Sequence, residues 1–217
     1  MTRMLQRVLF LLAVSMTLTA SGQGTIVHYD PADIPVFGGG SYVYYNLDLN
    51  GDGTTDFQFR ALGGEFMVIP SGQNAVAGIP DPPPNLVGHV SAVHFNESIS
   101  LTPVLPREWI LAGEAPLFGR YGPVFISCTT QGCNGYWQGV NRDAYLGTQF
   151  YIGSELHYGW VHLLVFNNGG YIKEWAYDTV AGQGILAGAV PEPSAWALLG
   201  LGIGCLFFCS HRNRPCA

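Results

Sequence analysis

Short strand-like segments separated by turn-forming residues recur along most of this 217-residue chain. It contains 29 glycines and 14 prolines, which interrupt helices and favour tight turns. No stretch between its two ends has the apolar periodicity of a helix of ten or more residues. We therefore predict an all-β fold, a single β-sandwich of the jelly-roll or lectin-like type. The predicted strands lie near 25–29, 41–49, 55–60, 65–69, 87–95, 97–101, 107–111, 123–128, 145–152, 157–166, 171–179 and 183–187.

The segment between the two ends, residues 23–189, has the length of one domain. The proline-rich stretch at 79–85 interrupts it, and two interpretations of that stretch remain open. It is either a loop within one domain or a linker between two domains. Because neither side has an obvious separate core, we favour a single domain.

The first 22 residues have the pattern of a secretory signal peptide. Arg3 and Arg7 precede an apolar run from Val8 to about Leu18, and small residues follow at 19–22. A basic start, a short apolar middle and a small-residue exit are typical of such peptides, which signal peptidase removes. We expect export by the general secretion machinery, with residues 1–22 cleaved.

A second apolar segment lies near the C-terminus. Residues 195–209 carry no charge, and Arg212 and Arg214 follow in a basic tail at 210–217. The segment is somewhat short for a membrane span, but flanking residues can extend it and the arginines can reach the interface. We predict a transmembrane helix at 195–209.

The motif Val190-Pro191-Glu192-Pro193-Ser194 stands directly before this apolar segment. Its two prolines favour an extended chain that a processing enzyme can reach. The order of motif, apolar segment and basic tail resembles the PEP-CTERM sorting signal of bacterial exported proteins. The resemblance covers residues 190–214, and the basic tail is thinner than usual in that family.

This resemblance implies an exosortase as the processing partner. The chain would be anchored in the membrane through its C-terminal helix before processing. It would then be sorted to the cell surface or extracellular matrix of a Gram-negative-type bacterium.

The exported part of the chain is acidic. Residues 23–190 contain five cations and fourteen acids, a net charge of −9. A domain of this charge is repelled by nucleic acid, so we expect no nucleic-acid partner, and it attracts divalent cations.

One acidic segment has the spacing of a calcium loop. In the segment that begins at Asp48, acidic or amide side chains stand at positions one, three, five and nine, and a glycine stands at position six. The expected ligands are the side chains of Asp48, Asn50, Asp52 and Asp56 and the carbonyl of Thr54. The segment resembles the Asp-x-Asn-x-Asp-Gly calcium loops found between strands of extracellular bacterial domains.

Position twelve is Phe59 rather than an acid, so the segment is not a helix–loop–helix site. Water or a remote acid such as Glu65 would complete the coordination. We predict a structural Ca²⁺ that holds the loop between two strands. The alternative is a plain hairpin turn, since Asn-Gly and Asp-Gly are strong turn formers.

Two cysteines fall in the exported part. Cys128 and Cys133 are surrounded by glycine and asparagine, and an oxidising compartment favours their pairing. We predict a disulfide between them, with free thiols as the alternative.

Three classes of function remain after these observations. The first is a structural or adhesive protein of the cell envelope or exopolysaccharide matrix, with exopolysaccharide as a candidate partner. The second is a calcium-dependent, lectin-like carbohydrate-binding module that uses tryptophan faces. The third is a secreted hydrolase with an acid pair such as Glu108/Glu114 or Asp143/Glu155. Acids at arbitrary spacing are weak evidence, so we predict no catalytic residues and no enzyme. The tryptophans considered were Trp109, Trp137, Trp160 and Trp175.

Overall fold

The computed structural model describes residues 25–63, 65–80, 88–104, 106–111, 124–127, 137, 143–166 and 168–191. These residues form strands and no helix, which confirms the predicted all-β class. None of them belongs to a helix with the length and apolarity needed to cross a membrane. The predicted signal peptide at 1–22 and the predicted helix at 195–209 lie outside the described residues.

The first eight strands occupy the N-terminal half of the domain. They are β1 (Ile26–Tyr29), β2 (Ile34–Phe37), β3 (Val43–Leu47), β4 (Phe57–Leu62), β5 (Glu65–Pro70), β6 (Ala75–Pro80), β7 (Gly88–Val90) and β8 (Ala92–Val93).

Seven more described strands follow. They are β9 (Ser98–Ile99), β10 (Glu108–Leu111), β11 (Val124–Ser127), β12 (Asp143–Ile152), β13 (Glu155–Phe166), β14 (Gly169–Asp178) and β15 (Ile185–Leu186).

Thirteen of these strands join one sheet in the order β1-β14-β13-β12-β6-β7-β11-β5-β4-β3, with β10, β2 and β8 on branches. The pairings are antiparallel except the one between β11 and β7. The strands β15 and β9 form a small second sheet. Since hydrogen bonds connect the main sheet throughout, the jelly-roll or lectin-like sandwich type stays a prediction.

The main core lies between strands from the two ends of this sheet. Phe57 and Phe59 of β4 and Phe66 of β5 belong to the same buried cluster as Val161 and Leu163 of β13. These side chains are fully buried, and each contributes about 1.5–3 kcal/mol of transfer free energy. The sheet therefore bends back on itself, because β4 and β5 share one apolar interior with β13.

Two strands were not predicted. The strand β2 contains Pro35 and pairs with the N-terminal part of β14, Gly169–Ile172. The strand β6 contains Gly78 and ends at Pro80, and it pairs with β7, β10 and β12. The predicted loop at 79–85 is therefore wrong for Ile79 and Pro80, which end a strand. Residues 81–85 lie outside the described residues.

Candidate functional site

The acidic loop connects β3 to β4, as the sequence predicted. These strands pair antiparallel, and the amide of Asp56 donates to the carbonyl of Leu47 at 2.9 Å to close the loop. Leu49 is fully buried and ties the loop to the core. Gly51 and Gly53 have φ of 79° and 89°, so both turns need a residue without a side chain.

Asp48 organises the exposed part of this loop. Its Oδ1 accepts from the amides of Gly51 (2.7 Å) and Asp52 (3.2 Å), and its Oδ2 accepts from Gly53 at 2.6 Å. Asn50 donates to Asp52 Oδ2 at 3.1 Å. Thus the carboxylates of Asp48 and Asp52 face the same short turn.

Asp52 is solvent-exposed and Asp56 is buried. The backbone hydrogen bond from Thr54, helped by the side chain of Asn50, lowers the pKa of Asp52. Burial raises the pKa of Asp56, and the charges of Asp52 and Asp48 add to this. Hydrogen bonds from Leu49 and Asn74 oppose the shift without cancelling it. Burial is therefore the main reason that Asp56 holds its proton more tightly than Asp52 does.

The five expected calcium ligands do not all converge. Asp48, Asn50 and Asp52 lie together, whereas the carboxylate of Asp56 accepts from Leu49 and Asn74. The amide of Thr54 donates to Asp52 at 2.7 Å. In the described part of the chain, no three Asp, Glu, His or Cys side chains are arranged to hold a metal ion.

Glu65 was proposed as a remote ligand, and this is wrong. It pairs with Leu62 at the far end of the β4–β5 hairpin, whereas the loop adjoins Phe57 and Pro70 at the near end. A whole strand length separates Glu65 from Asp56.

An open cleft of about 540 Å³ lies beside the acidic loop. Three chain segments form it: the end of the acidic loop, the β5–β6 turn and the β12–β13 turn. Most of its lining residues carry a hydroxyl or amide group in their side chains. The lining residues are Thr54, Thr55, Asp56, Ser71, Gly72, Gln73, Asn74, Tyr151, Gly153 and Ser154.

Asn74 joins the three walls of this cleft. Its Nδ2 donates to the Oδ1 (3.1 Å) and the backbone carbonyl (3.3 Å) of Asp56, and its Oδ1 accepts from the amide of Tyr151 at 3.2 Å. Ser71 also donates its amide to the Asp56 carbonyl at 2.8 Å. Sequence reasoning missed this arrangement because Asn74 and Tyr151 are 77 residues apart and no local motif marks either one.

The tryptophans considered as saccharide-stacking faces are mostly internal. Trp137, Trp160 and Trp175 are buried. Trp109 is half-buried, packs against Tyr158 at 5.8 Å and donates its Nε1 to the carbonyls of Ser100 and Leu101. The three buried rings are core residues, so they offer no face to a ligand.

The acid pairs considered for hydrolysis are not assembled in the described residues. Asp143 and Glu155 stand at opposite ends of the long β12–β13 hairpin, since Asp143 pairs with Leu164 and Glu155 with Ile152. Glu114, the suggested partner of Glu108, lies outside the described residues, as do Cys128 and Cys133 of the predicted disulfide.

A chain of four ionisable side chains crosses the other part of the sheet. His28 of β1 lies 2.8 Å from Glu174 of β14, and His162 of β13 lies 3.0 Å from the second oxygen of Glu174. The other ring nitrogen of His162 is 2.5 Å from Asp143 of β12. Tyr145 stacks on His162 at 4.6 Å between centroids. These contacts tie four neighbouring strands together.

This chain of contacts sets the ionisation of Glu174. Burial alone would raise its pKa, but hydrogen bonds from His28 and His162 and the charges of both rings outweigh burial. The pKa of Glu174 therefore lies below its ordinary value.

The end of the domain is fixed immediately before the sorting motif. Ala187 donates its amide to Glu97 and accepts from Asn96, and Ala189 donates to Leu186. Val190 and Pro191 are then exposed, and the remaining motif residues lie outside the described residues. The motif thus starts at the surface of a fixed domain boundary.

Comparison with curated proteins and with solved structures finds no significant match to this chain. A comparison with protein-family models finds one short match at its C-terminal end. Residues 189–213 match the PEP-CTERM protein-sorting motif, the sorting signal of exported, surface-directed proteins that an exosortase processes.

Proposed function

We propose that this chain is an exported surface or matrix protein with a structural or adhesive role, delivered by an exosortase. The observation that carries the proposal is the PEP-CTERM match at 189–213, which begins where the domain ends. The exposed Val190 and Pro191 offer the processing enzyme a chain free of the sheet. Signal peptidase and the general secretion machinery would act at the other end.

An acidic domain whose described residues form strands and no helix suits this role. Its charge of −9 keeps it soluble among anionic surfaces, and cations can bridge it to an acidic matrix. No nucleic-acid partner is proposed, since the charge has the wrong sign.

The sorting signal is tested by substitution in the native host. Pro191→Ala, Glu192→Ala and Pro193→Ala together should abolish processing and surface retention, measured by immunoblotting of membrane, surface and medium fractions. Pro215→Ala is the matched control, because it lies outside the matched residues. Normal surface delivery of the triple variant would contradict the proposal.

The acidic loop is proposed as a structural calcium site. Asp48, Asn50 and Asp52 offer hard oxygens on one exposed turn. Burial is the main cause of the raised pKa of Asp56, and Asp48 and Asp52 lie close enough for their charges to add to it. The ligand set proposed is Asp48, Asn50, Asp52, Thr54 and Asp56, with water completing it. Affinity would be that of extracellular calcium modules, a dissociation constant of about 10⁻⁴–10⁻³ M.

Melting of the full chain in millimolar calcium and in chelator tests the site. Calcium should raise the melting temperature, and Asp52→Asn should remove the rise. Asp30→Asn is the control, because Asp30 is an exposed acid outside the loop. Equal melting temperatures in calcium and in chelator would refute a stabilising site.

Carbohydrate binding is the second candidate function. Three of the four tryptophans named as stacking faces are buried and do not support it. The observation that favours carbohydrate binding is the open cleft beside the acidic loop.

A further inference from the structure

The cleft between the acidic loop, the β5–β6 turn and the β12–β13 turn has the size and chemistry of a ligand site. Its volume of about 540 Å³ falls within the range of about 300–1,000 Å³ that small-molecule sites occupy. It opens at the tips of three turns, where Gly72 and Gly153 adopt positive φ and extend no side chain into the opening.

Apart from the buried carboxylate of Asp56, the donors and acceptors that line the cleft are uncharged. Thr54, Gln73 and Ser154 are exposed, and Thr55 and Ser71 are half-buried. Hydroxyls and amides each donate and accept, so they can match the alternating donors and acceptors of a polyhydroxylated ring. Among the residues that the structure describes, no lysine or arginine lines the cleft.

The charges near the cleft narrow the class of ligand further. Asp56 is 5% exposed and already accepts hydrogen bonds from Leu49 and Asn74. Asp48 and Asp52 lie on the adjoining turn and repel anions. Even with the proposed Ca²⁺ in the loop, the carboxylates of Asp48, Asp52 and Asp56 would leave a net charge of −1. A phosphate or a uronic acid would therefore enter a negative field, whereas a neutral sugar carries no charge for that field to repel.

The cleft is also held in shape before any ligand arrives. Asn74 is 7% exposed, and it bonds both Asp56 and the backbone of Tyr151, so the three walls are fastened to one buried side chain. A preformed site loses less conformational entropy on binding.

We propose that this cleft binds one or two units of a neutral saccharide. The inference rests on the carbohydrate-binding candidate function and on neither the calcium site nor the sorting signal. Thr54, Gln73 and Ser154 would contact the sugar, and Asn74 would position the walls without contacting it.

The test uses the full chain purified in a detergent without a sugar headgroup. Binding is measured on an array of neutral glucan, mannan and galactan oligosaccharides, with uronic-acid oligosaccharides and unmodified peptides on the same array. Binding to at least one neutral saccharide is expected, with weaker or no binding to the uronic acids and the peptides. Because the purified chain need not be processed, this result is independent of sorting.

Substitutions of cleft residues test whether the saccharide binds in the cleft. Gln73→Ala and Ser154→Ala should each weaken binding about five- to tenfold, the loss expected for one hydrogen bond to ligand. Gln183→Ala, on the turn after β14 and outside the cleft, should leave the dissociation constant within about twofold. Near-ultraviolet circular dichroism identifies any variant that fails to fold, and the other cleft variant then decides.

Three results would overturn the proposal. They are no binding to any neutral saccharide, binding confined to the uronic acids or the peptides, and equal effects of the cleft variants and of Gln183→Ala.

Discussion

The buried side chain of Asn74 donates its amide to the carboxylate of Asp56 at 3.1 Å, across 18 residues of sequence. Its Oδ1 accepts from the amide of Tyr151. One neutral residue therefore connects the acidic loop, the β5–β6 turn and the end of β12. This contact links the charge of the loop to the shape of the cleft.

Replacing Asn74 should remove the hydrogen bonds that connect these segments and lower the stability of the domain. Asn74→Ala leaves oxygens of Asp56 and the Tyr151 amide without their buried partner, a cost of about 2–3 kcal/mol in the free energy of unfolding. Asn46→Ala is the matched control, because Asn46 is exposed and bonds only Gln58 among the contacts observed here. Urea denaturation of both variants measures the difference, and equal losses would contradict the assigned role.

The raised pKa of Asp56 predicts a pH dependence of stability. The folded state holds this proton more tightly than the unfolded state, whose Asp pKa is about 3.9. The contribution of Asp56 to stability should therefore fall as pH rises from about 3.9 through its folded pKa. Asn at this position does not titrate, so the stability of wild type relative to Asp56→Asn should fall over that window. If the stability of wild type relative to Asp56→Asn rises with pH instead, the pKa of Asp56 is not raised by folding.

The contribution of Glu174 to stability should depend on pH in the opposite direction. Its folded pKa lies below the ordinary value, so its stabilisation is present above the unfolded pKa of about 4.3. This stabilisation is lost as pH falls through the folded pKa. Glu174→Gln should therefore cost more at pH 6 than at pH 3, by denaturant titration at both values. Glu65→Gln, at an exposed strand-end acid, is the control for the effect of the substitution itself.

Two adjacent glycines should respond differently to alanine. A Cβ at Gly38 would lie 2.3 Å from the backbone of Ala61 in β4, whereas a Cβ at Gly39 would meet no atom within 4 Å. Gly38→Ala should cost about 1–3 kcal/mol through overpacking, because β2 cannot approach β4 as closely. Gly39→Ala should change stability by less than about 0.5 kcal/mol. Comparable melting temperatures for the two variants would contradict this packing.

Local patterns predicted those parts of the fold that local chemistry determines. Apolar segments bounded by turn-forming residues located β12 and β13 to within two residues at each end. The strand β6 was missed because Gly78 and Pro80 are poor strand formers. It is a strand because β7, β10 and β12 pair with it, and the space at Gly78 is filled by His89 and Ile110.

In the candidate sites too, local spacing predicted the local contacts and missed the contacts between distant residues. The spacing of Asp48, Asn50 and Asp52 placed them correctly on one turn between strands. That spacing could not predict the hydrogen bond between the carboxylate of Asp56 and Asn74, which is 18 residues away. The contacts between His28, Glu174 and His162 could not be predicted either, because strand order brings them together.

The central claim is that this chain is exported and processed at its C-terminal motif. The intact mass of the protein recovered from the cell surface of its native host tests it most directly. Processing predicts a chain that begins near residue 20–23 and has lost the segment after the motif at 190–194. A surface-recovered mass that includes residues 195–217 would contradict the claim.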